Sequence, residues 1–183
     1  MKKVRNLLCT VLALAMVLSV SASASALEQE KNYPENFMNM SVQQRIQWIE
    51  ENIPAEVHEG TRINNGQRGN LDTFYATGHE AVLDPSGHTI LAELYTDVEW
   101  TVDSIAPDQV QSYSVTRFDV YNYMSGDAYV VKEPVDHSYI YPGNLKVFIQ
   151  ATAFAPYIAY GMYNDYNLYS SGNFSLRSDH FAY

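Results

Sequence analysis

Five tyrosines recur at every third position near the end of this 183-residue chain. They are Tyr157, Tyr160, Tyr163, Tyr166 and Tyr169. Tyrosine joins a flat apolar ring to a hydroxyl, so it can stack on a sugar ring or contact a protein at a low entropic cost. These five are the predicted ligand-binding residues. The alternative is that tyrosine is here simply a good strand residue at the rim of a sheet.

The spacing of these tyrosines bears on the local structure. A period of three fits neither a strand nor an α-helix, and rings on one continuous strand would alternate between its two faces. We therefore expect a turn near Asn164 and Asp165. Such a turn would make a hairpin that carries rings on both sides.

Two carboxylates, Asp97 and Glu99, are the candidate catalytic residues. On a strand they would lie on one face, about 6.6–6.8 Å apart along the backbone. That is near the short end of the separation between the two carboxyl groups of inverting glycosidases. The alternatives are a calcium-binding pair and an ordinary solvated strand face.

The histidines and the cysteine give no metal or cofactor motif. None of the five histidines completes an H-E-x-x-H pattern. His58-Glu59 and His79-Glu80 would each place the two side chains on opposite faces of an extended strand. The chain's one cysteine, Cys9, lies in the segment that we expect to be removed. The sequence therefore predicts no metal site and no cofactor, and a zinc site built from histidines distant in sequence is the alternative.

The N-terminus has the pattern of a secretory signal peptide over residues 1–26. A basic head precedes an apolar run over 7–20, and a string of small residues follows over 21–26. The apolar run is shorter than the roughly 20 residues that a membrane-spanning helix needs. We therefore expect a secreted, extracellular protein without a stable membrane anchor.

The charge of the chain narrows its possible partners. The whole chain has 11 basic and 21 acidic residues, and loss of Lys2, Lys3 and Arg5 would leave eight basic ones. Nucleic acids and anionic lipids favour clusters of lysine and arginine, so a chain this acidic is a poor match for either. The predicted partner is an extracellular glycan or a protein, not a nucleic acid.

A polar arm over 27–40 leads into one predicted domain over 41–183. Ser41 is a good N-cap, and Gln44 stands where a capping box requires Glu or Gln. Apolar residues then recur at helical spacing up to Ile53, and the following Pro54 disfavours a helical conformation there. This predicts an amphipathic helix over 42–52. Glycine and asparagine then predict a loop over 59–70.

Strand patterns fill the region 71–183. Residues 89–103 alternate between apolar and polar, and Asp84-Pro85-Ser86-Gly87 precedes them with the signature of a type I turn. Residues 72–83 should therefore pair back as a hairpin, with a possible bulge at Gly78. Further strands are expected at 111–123, 128–132, 145–154 and near 174–177. Both parities of 111–123 carry apolar residues, which leaves its register open.

The predicted fold class is a mainly β protein, an antiparallel β-sandwich with one N-terminal helix. A closed β-barrel is the alternative. The first functional hypothesis is a non-catalytic, secreted domain that binds an extracellular surface through its tyrosines. A carboxylate-dependent hydrolase and a secreted toxin or bacteriocin-like effector are the alternatives.

Overall fold

The computed structural model describes residues 33–63, 70–105, 108–140 and 143–182. The predicted signal peptide lies outside the described residues, as do residues 27–32 of the predicted arm. After a 3-10 turn at Phe37–Asn39, helix α1 spans Val42–Asn52, which confirms the predicted helix. Both halves of its capping box are present, because Ser41 and Gln44 each accept a hydrogen bond from the other's backbone N–H. No helix in the described part of the chain is long and apolar enough to cross a membrane.

The described strands form two antiparallel sheets. They are β1 Glu56–Glu59, β2 Thr61–Ile63, β3 Leu71–Leu83, β4 Ile90–Asp103, β5 Val110–Asn122, β6 Tyr129–Lys132, β7 Asp136–Ile140, β8 Asn144–Ala155, β9 Ile158–Leu168 and β10 Asn173–Ala182. The four-stranded sheet has the order β2-β3-β4-β5. The six-stranded sheet has the order β1-β10-β9-β8-β6, and β7 also pairs with β8.

This arrangement confirms the predicted β-sandwich with a single helix. Within the described residues the two sheets remain separate and do not close into the alternative barrel. Strand β2 occupies part of the segment that the sequence predicts as a loop over 59–70. Residues 64–69 of that segment lie outside the described residues.

The hairpin of β3 and β4 forms at the predicted turn. The N–H of Gly87 donates to the carbonyl of Asp84 at 2.8 Å, and Gly87 has a positive φ of 71°. The expected bulge at Gly78 is wrong, because Gly78 pairs in regular register with Thr96 and the register shifts only after Val82. A Cβ on Gly78 would lie 2.3 Å from the Tyr166 hydroxyl oxygen. The glycine therefore gives room to a side chain of the facing sheet.

Two irregularities in β5 explain why its register cannot be read from apolar parity. The pairing with β4 shifts between Asp97 and Val98, and again between Thr101 and Val102. An extra residue in a strand reverses which parity faces the core. Val115 and Phe118 lie on either side of the shift between Asp97 and Val98 and have opposite parity along β5. Both nevertheless point inward and pack against the core.

The core lies between the two sheets. Strand β4 contributes to it the alternate residues that the sequence predicts to be buried. These include Leu94, Val98 and Trp100, which are all fully buried. Strand β8 contributes its predicted apolar face, which is likewise buried. That face consists of Leu145, Val147, Ile149, Ala151 and Ala153. Burial of each large aliphatic side chain contributes about 1.5–3 kcal/mol to stability.

Helix α1 covers the outer face of the six-stranded sheet. Ile46 and Ile49 are buried. Arg45 donates a hydrogen bond of 2.8 Å to the side chain of Gln150, and Lys146 forms an ion pair with Glu50 of the helix. The six-stranded sheet is therefore buried on both faces along its centre. The outer face of the four-stranded sheet has no such cover among the described elements.

A buried carboxylate, Asp165, lies on this helix-covered face of β9. It is fully buried, and Arg177 donates to it at 3.2 Å. Burial raises the pKa of Asp165 from 3.8 to about 6, although the nearby charges of Lys146 and Arg177 oppose that rise. Desolvation therefore outweighs attraction to the two cations at this position.

Candidate functional site

The structure does not bring the five tail tyrosines together on one surface. The turn predicted near Asn164 and Asp165 is wrong, because both residues lie inside the continuous strand β9 and are fully buried. A spacing of three along one strand sends successive rings to opposite faces. Tyr163 accordingly lies on the outer side of the sheet, stacked on Phe148, whereas Tyr166 lies between the sheets.

The other three tail tyrosines have three different environments. Tyr157 is fully exposed in the turn between β8 and β9. Tyr160 is partly buried and packs against the core. Tyr169 is partly buried, and its hydroxyl donates to the side chain of Ser175 at 3.2 Å. Tyr157 alone of the five is fully open to solvent.

A different set of tyrosines meets on the outer face of the four-stranded sheet. We name it the Glu93 cluster. Its members are His79 of β3, Glu93 and Tyr95 of β4, Tyr121 of β5, and Tyr123, which follows β5. Register places His79 opposite Tyr95 and Tyr121 opposite Glu93. Strand pairing therefore brings together residues from three segments of the chain.

Glu93 holds three of the four rings of the cluster in place. Its Oε1 accepts hydrogen bonds from Tyr95 at 2.8 Å and from His79 at 3.1 Å, and its Oε2 accepts one from Tyr123 at 2.8 Å. The hydrogen bond from Tyr95 is the largest cause of the lowered pKa of Glu93. The same carboxylate raises the pKa values of Tyr95 and Tyr123. Glu93 is therefore a carboxylate, and the phenols keep their protons, at neutral pH.

The rings of the cluster have defined orientations. Tyr95 stacks on His79 with centroids 4.2 Å apart, and Tyr121 meets Tyr95 edge-on at 5.9 Å. The planes of Tyr121 and Tyr123 are within 9° of parallel, with centroids 6.3 Å apart. Tyr121 is 42% exposed and Tyr123 is 56% exposed. Two near-parallel rings are thus open to a ligand in solution.

Arg117 of β5 packs over the Tyr95 ring of the cluster. Its guanidinium carbon lies 4.6 Å above the centre of the Tyr95 ring, within the range of a cation–π contact. It also donates to Asp119 at 2.7 Å. The hydrogen bond to Asp119 is the largest cause of the raised pKa of Arg117, so the charge stays fixed beside the ring.

The candidate catalytic residues, Asp97 and Glu99, lie on the same outer face of β4 as the Glu93 cluster. Asp97 is opposite Thr77 and Arg117, and Glu99 is opposite Tyr75 and Ser114. Burial is the largest cause of the raised pKa of Tyr75, and the nearby Asp97 carboxylate adds to it. The two carboxylates thus border the cluster, where they offer acceptors to the hydroxyl groups of a ligand.

A cleft of about 430 Å³ is lined by residues of β1, β2, β3 and β10. Residues of β1 and β10 form one wall, including His58 and Phe174, whose rings are 5.2 Å apart. Tyr75 and Thr77 of β3 belong to the opposite wall. The cleft is mixed in polarity and adjoins the open face through Tyr75.

Among the described residues, a trio able to hold a metal ion lies away from the Glu93 cluster. The donor atoms of Glu80, Asp179 and His180 are all within 4.8 Å of one another. The predicted divergence of His79 and Glu80 is confirmed, because His79 bonds to Glu93 on the outer face while Glu80 meets His180 of the other sheet. Sequence spacing does not reveal this trio, because 100 residues separate Glu80 from His180.

The fold and the cluster define a β-sandwich with one helix and an open face of tyrosines and carboxylates. No protein-family model matches the chain, and searches of curated proteins and of solved structures found no match. The alternation of β4 already places Glu93 and Tyr95 on its polar face. The contribution of Tyr121 is hidden by the register shifts of β5.

Proposed function

We propose that this chain is an exported, non-catalytic β-sandwich that binds a glycan of an extracellular surface through the Glu93 cluster. The near-parallel, exposed rings of Tyr121 and Tyr123 carry the proposal. Sugar rings present flat C–H faces, and aromatic side chains with an apolar face and a polar tip suit such contacts. Export rests on the signal peptide predicted over residues 1–26.

The surroundings of the rings support a glycan over a purely apolar ligand. Asp97, Glu99 and Arg117 border the rings with groups that accept or donate hydrogen bonds. A sugar presents many hydroxyls that need such partners when they leave water. The prior anchoring of Tyr95 and Tyr123 by Glu93 lowers the entropic cost of binding, because these side chains are already ordered.

Retention of the purified protein on insoluble polysaccharides and whole cell walls tests the proposal. We expect retention on at least one polymer, and we expect Tyr121→Ala to weaken it. Tyr157→Ala is the matched control, because Tyr157 is a fully exposed tyrosine remote in sequence from the cluster. Circular dichroism and thermal melting establish that each variant is folded.

The two variants separate the alternatives. Loss of retention in Tyr157→Ala with full retention in Tyr121→Ala would move the site to the tail tyrosines. Absence of retention on every polymer would refute glycan binding and direct the search to protein partners. Release of soluble sugar that stops in Asp97→Asn would instead favour the carboxylate-dependent hydrolase.

A further inference from the structure

We propose that Glu80, Asp179 and His180 form a binding site for a divalent first-row transition-metal ion, with Zn²⁺ as the test ion. The three side chains each offer one donor atom, and these atoms lie within 4.8 Å of one another. Glu80 Oε1 and His180 Nδ1 are 2.7 Å apart. The site is separate from the Glu93 cluster and does not depend on the proposed glycan binding.

The donor set selects the class of ion. One imidazole nitrogen and two carboxylate oxygens suit Zn²⁺ and its first-row neighbours. Calcium prefers six to eight oxygen ligands, and an imidazole among only three protein donors disfavours it. Three protein ligands with the remaining position open to water is a common zinc arrangement.

The fold builds this trio from both sheets. Glu80 lies on the inward face of β3, and Asp179 and His180 are adjacent on β10. The Asp179 carboxylate accepts the backbone N–H of His180 at 2.9 Å, which holds it beside its neighbour. The packing of β3 against β10 therefore brings Glu80 and His180 together, and Asp179 joins them as the chain neighbour of His180.

The trio lies beyond the ends of the two edge strands, β1 and β2. In the described register, β2 pairs with β3 only over Thr73–Tyr75, and β1 pairs with β10 only over Asn173–Leu176. The side chain of His180 is 32% exposed, which provides a path for an ion, whereas Asp179 is more than nine-tenths buried. A bound ion would connect the two sheets across this edge.

The pair Glu80 and His180 lies near a coordinated separation. Two ligands of a tetrahedral zinc ion lie roughly 3.3–3.6 Å apart, given metal–ligand bonds of about 2.0–2.2 Å. Glu80 Oε1 and His180 Nδ1, which are observed 2.7 Å apart, would have to separate by roughly 0.6–0.9 Å. The Asp179 carboxylate, whose donor atom lies within 4.8 Å of the other two, would have to reach the same separation.

Isothermal titration of the EDTA-treated protein with ZnCl₂ tests the site. We expect one ion per chain, with affinity at least about tenfold weaker in Glu80→Gln and in His180→Ala, because each variant removes one ligand. His88→Ala is the control, because His88 is an exposed histidine of the β3–β4 turn. It should bind zinc like the wild type.

A second measurement keeps the test decisive if a variant is unstable. Co²⁺ added to the wild-type protein should give visible absorption bands that excess Zn²⁺ removes, and zinc should raise the melting temperature of the wild type more than that of Glu80→Gln. Failure of the wild type to bind zinc would overturn the proposal. Equal weakening in His88→Ala and His180→Ala would also overturn it, because binding would then be non-specific.

Discussion

The hydroxyl oxygen of Tyr166 lies 2.6 Å from Oγ1 of Thr96, so a side chain of β9 bonds across the core to β4 of the facing sheet. Asn164 also donates to Thr96 Oγ1, at 2.8 Å, and Ser178 donates to Asn164 at 2.5 Å. Thr96, Asn164 and Tyr166 are fully buried. This polar group within an apolar core fixes how the two sheets face each other, and burial raises the pKa of Tyr166.

Replacement of Tyr166 by Phe should therefore destabilise the fold. The variant loses a buried hydrogen bond and leaves Thr96 with one partner fewer, which costs about 1–3 kcal/mol. Urea denaturation of the wild type and the variant measures the difference in the free energy of unfolding. Tyr157→Phe, at a fully exposed tyrosine, should stay within about 0.5 kcal/mol of the wild type. Equal stability of Tyr166→Phe and the wild type would contradict the assigned bond.

Gly78→Ala should also destabilise the protein, and by less when Tyr166 is already Phe. In the wild type the new methyl group would lie 2.3 Å from the Tyr166 hydroxyl and 2.9 Å from the Asn164 side chain. Removal of the hydroxyl relieves the closer of the two clashes. A double-mutant cycle in urea should therefore show non-additivity, and strictly additive losses would argue against the close approach.

Glu93→Gln should lower stability at neutral pH and lose that effect in acid. The pKa of Glu93 is lowered in the folded state by the hydrogen bonds from Tyr95, Tyr123 and His79. Stability from such a group is present above the unfolded pKa and is lost as the pH falls through the folded pKa. The gap between wild type and variant should thus narrow as the pH is lowered from 6 to below the usual carboxyl pKa of about 4.3. Urea melts at several pH values measure this gap, and a gap independent of pH would count against the assignment.

Asp165→Asn should show the opposite dependence on pH. The folded pKa of Asp165 is raised from 3.8 to about 6, so folding is most favoured when this carboxyl is protonated. That rise corresponds to about 3 kcal/mol, which the wild type loses between roughly pH 4 and pH 6. Relative to the wild type, Asp165→Asn should therefore gain stability as the pH rises through this window. Melts at pH 4 and pH 7 test the sign, and a relative loss on raising the pH would refute it.

Local signals were sufficient to predict α1 and β4. The capping box at Ser41 and Gln44 is a contact between residues three apart, and the alternation in β4 directly reflects one buried and one open face. Both patterns depend on interactions within a single element, so each can be recognised from the local sequence.

Prediction of the Glu93 cluster requires information that no single segment carries. β9 is buried on both faces because α1 covers the outer one, and its tyrosines are therefore poor guides to a surface. The Glu93 cluster depends on the pairing of three strands. Register shifts in the pairing of β5 with β4 change which residues of β5 face outward, so the sequence alone does not show that Tyr121 does. Glu80 and His180 meet only when the two sheets pack.

The alternation of β4 has an evolutionary consequence. In β4 each core residue from Ala92 to Val102 is followed by one on the outer face, so the two roles occupy interleaved but separate positions. Substitutions can then accumulate on the outer face while the interleaved core residues continue to specify the fold. Sequence variation should therefore be concentrated at the outward positions of β3, β4 and β5, with Leu94, Val98 and Trp100 held nearly constant beneath them.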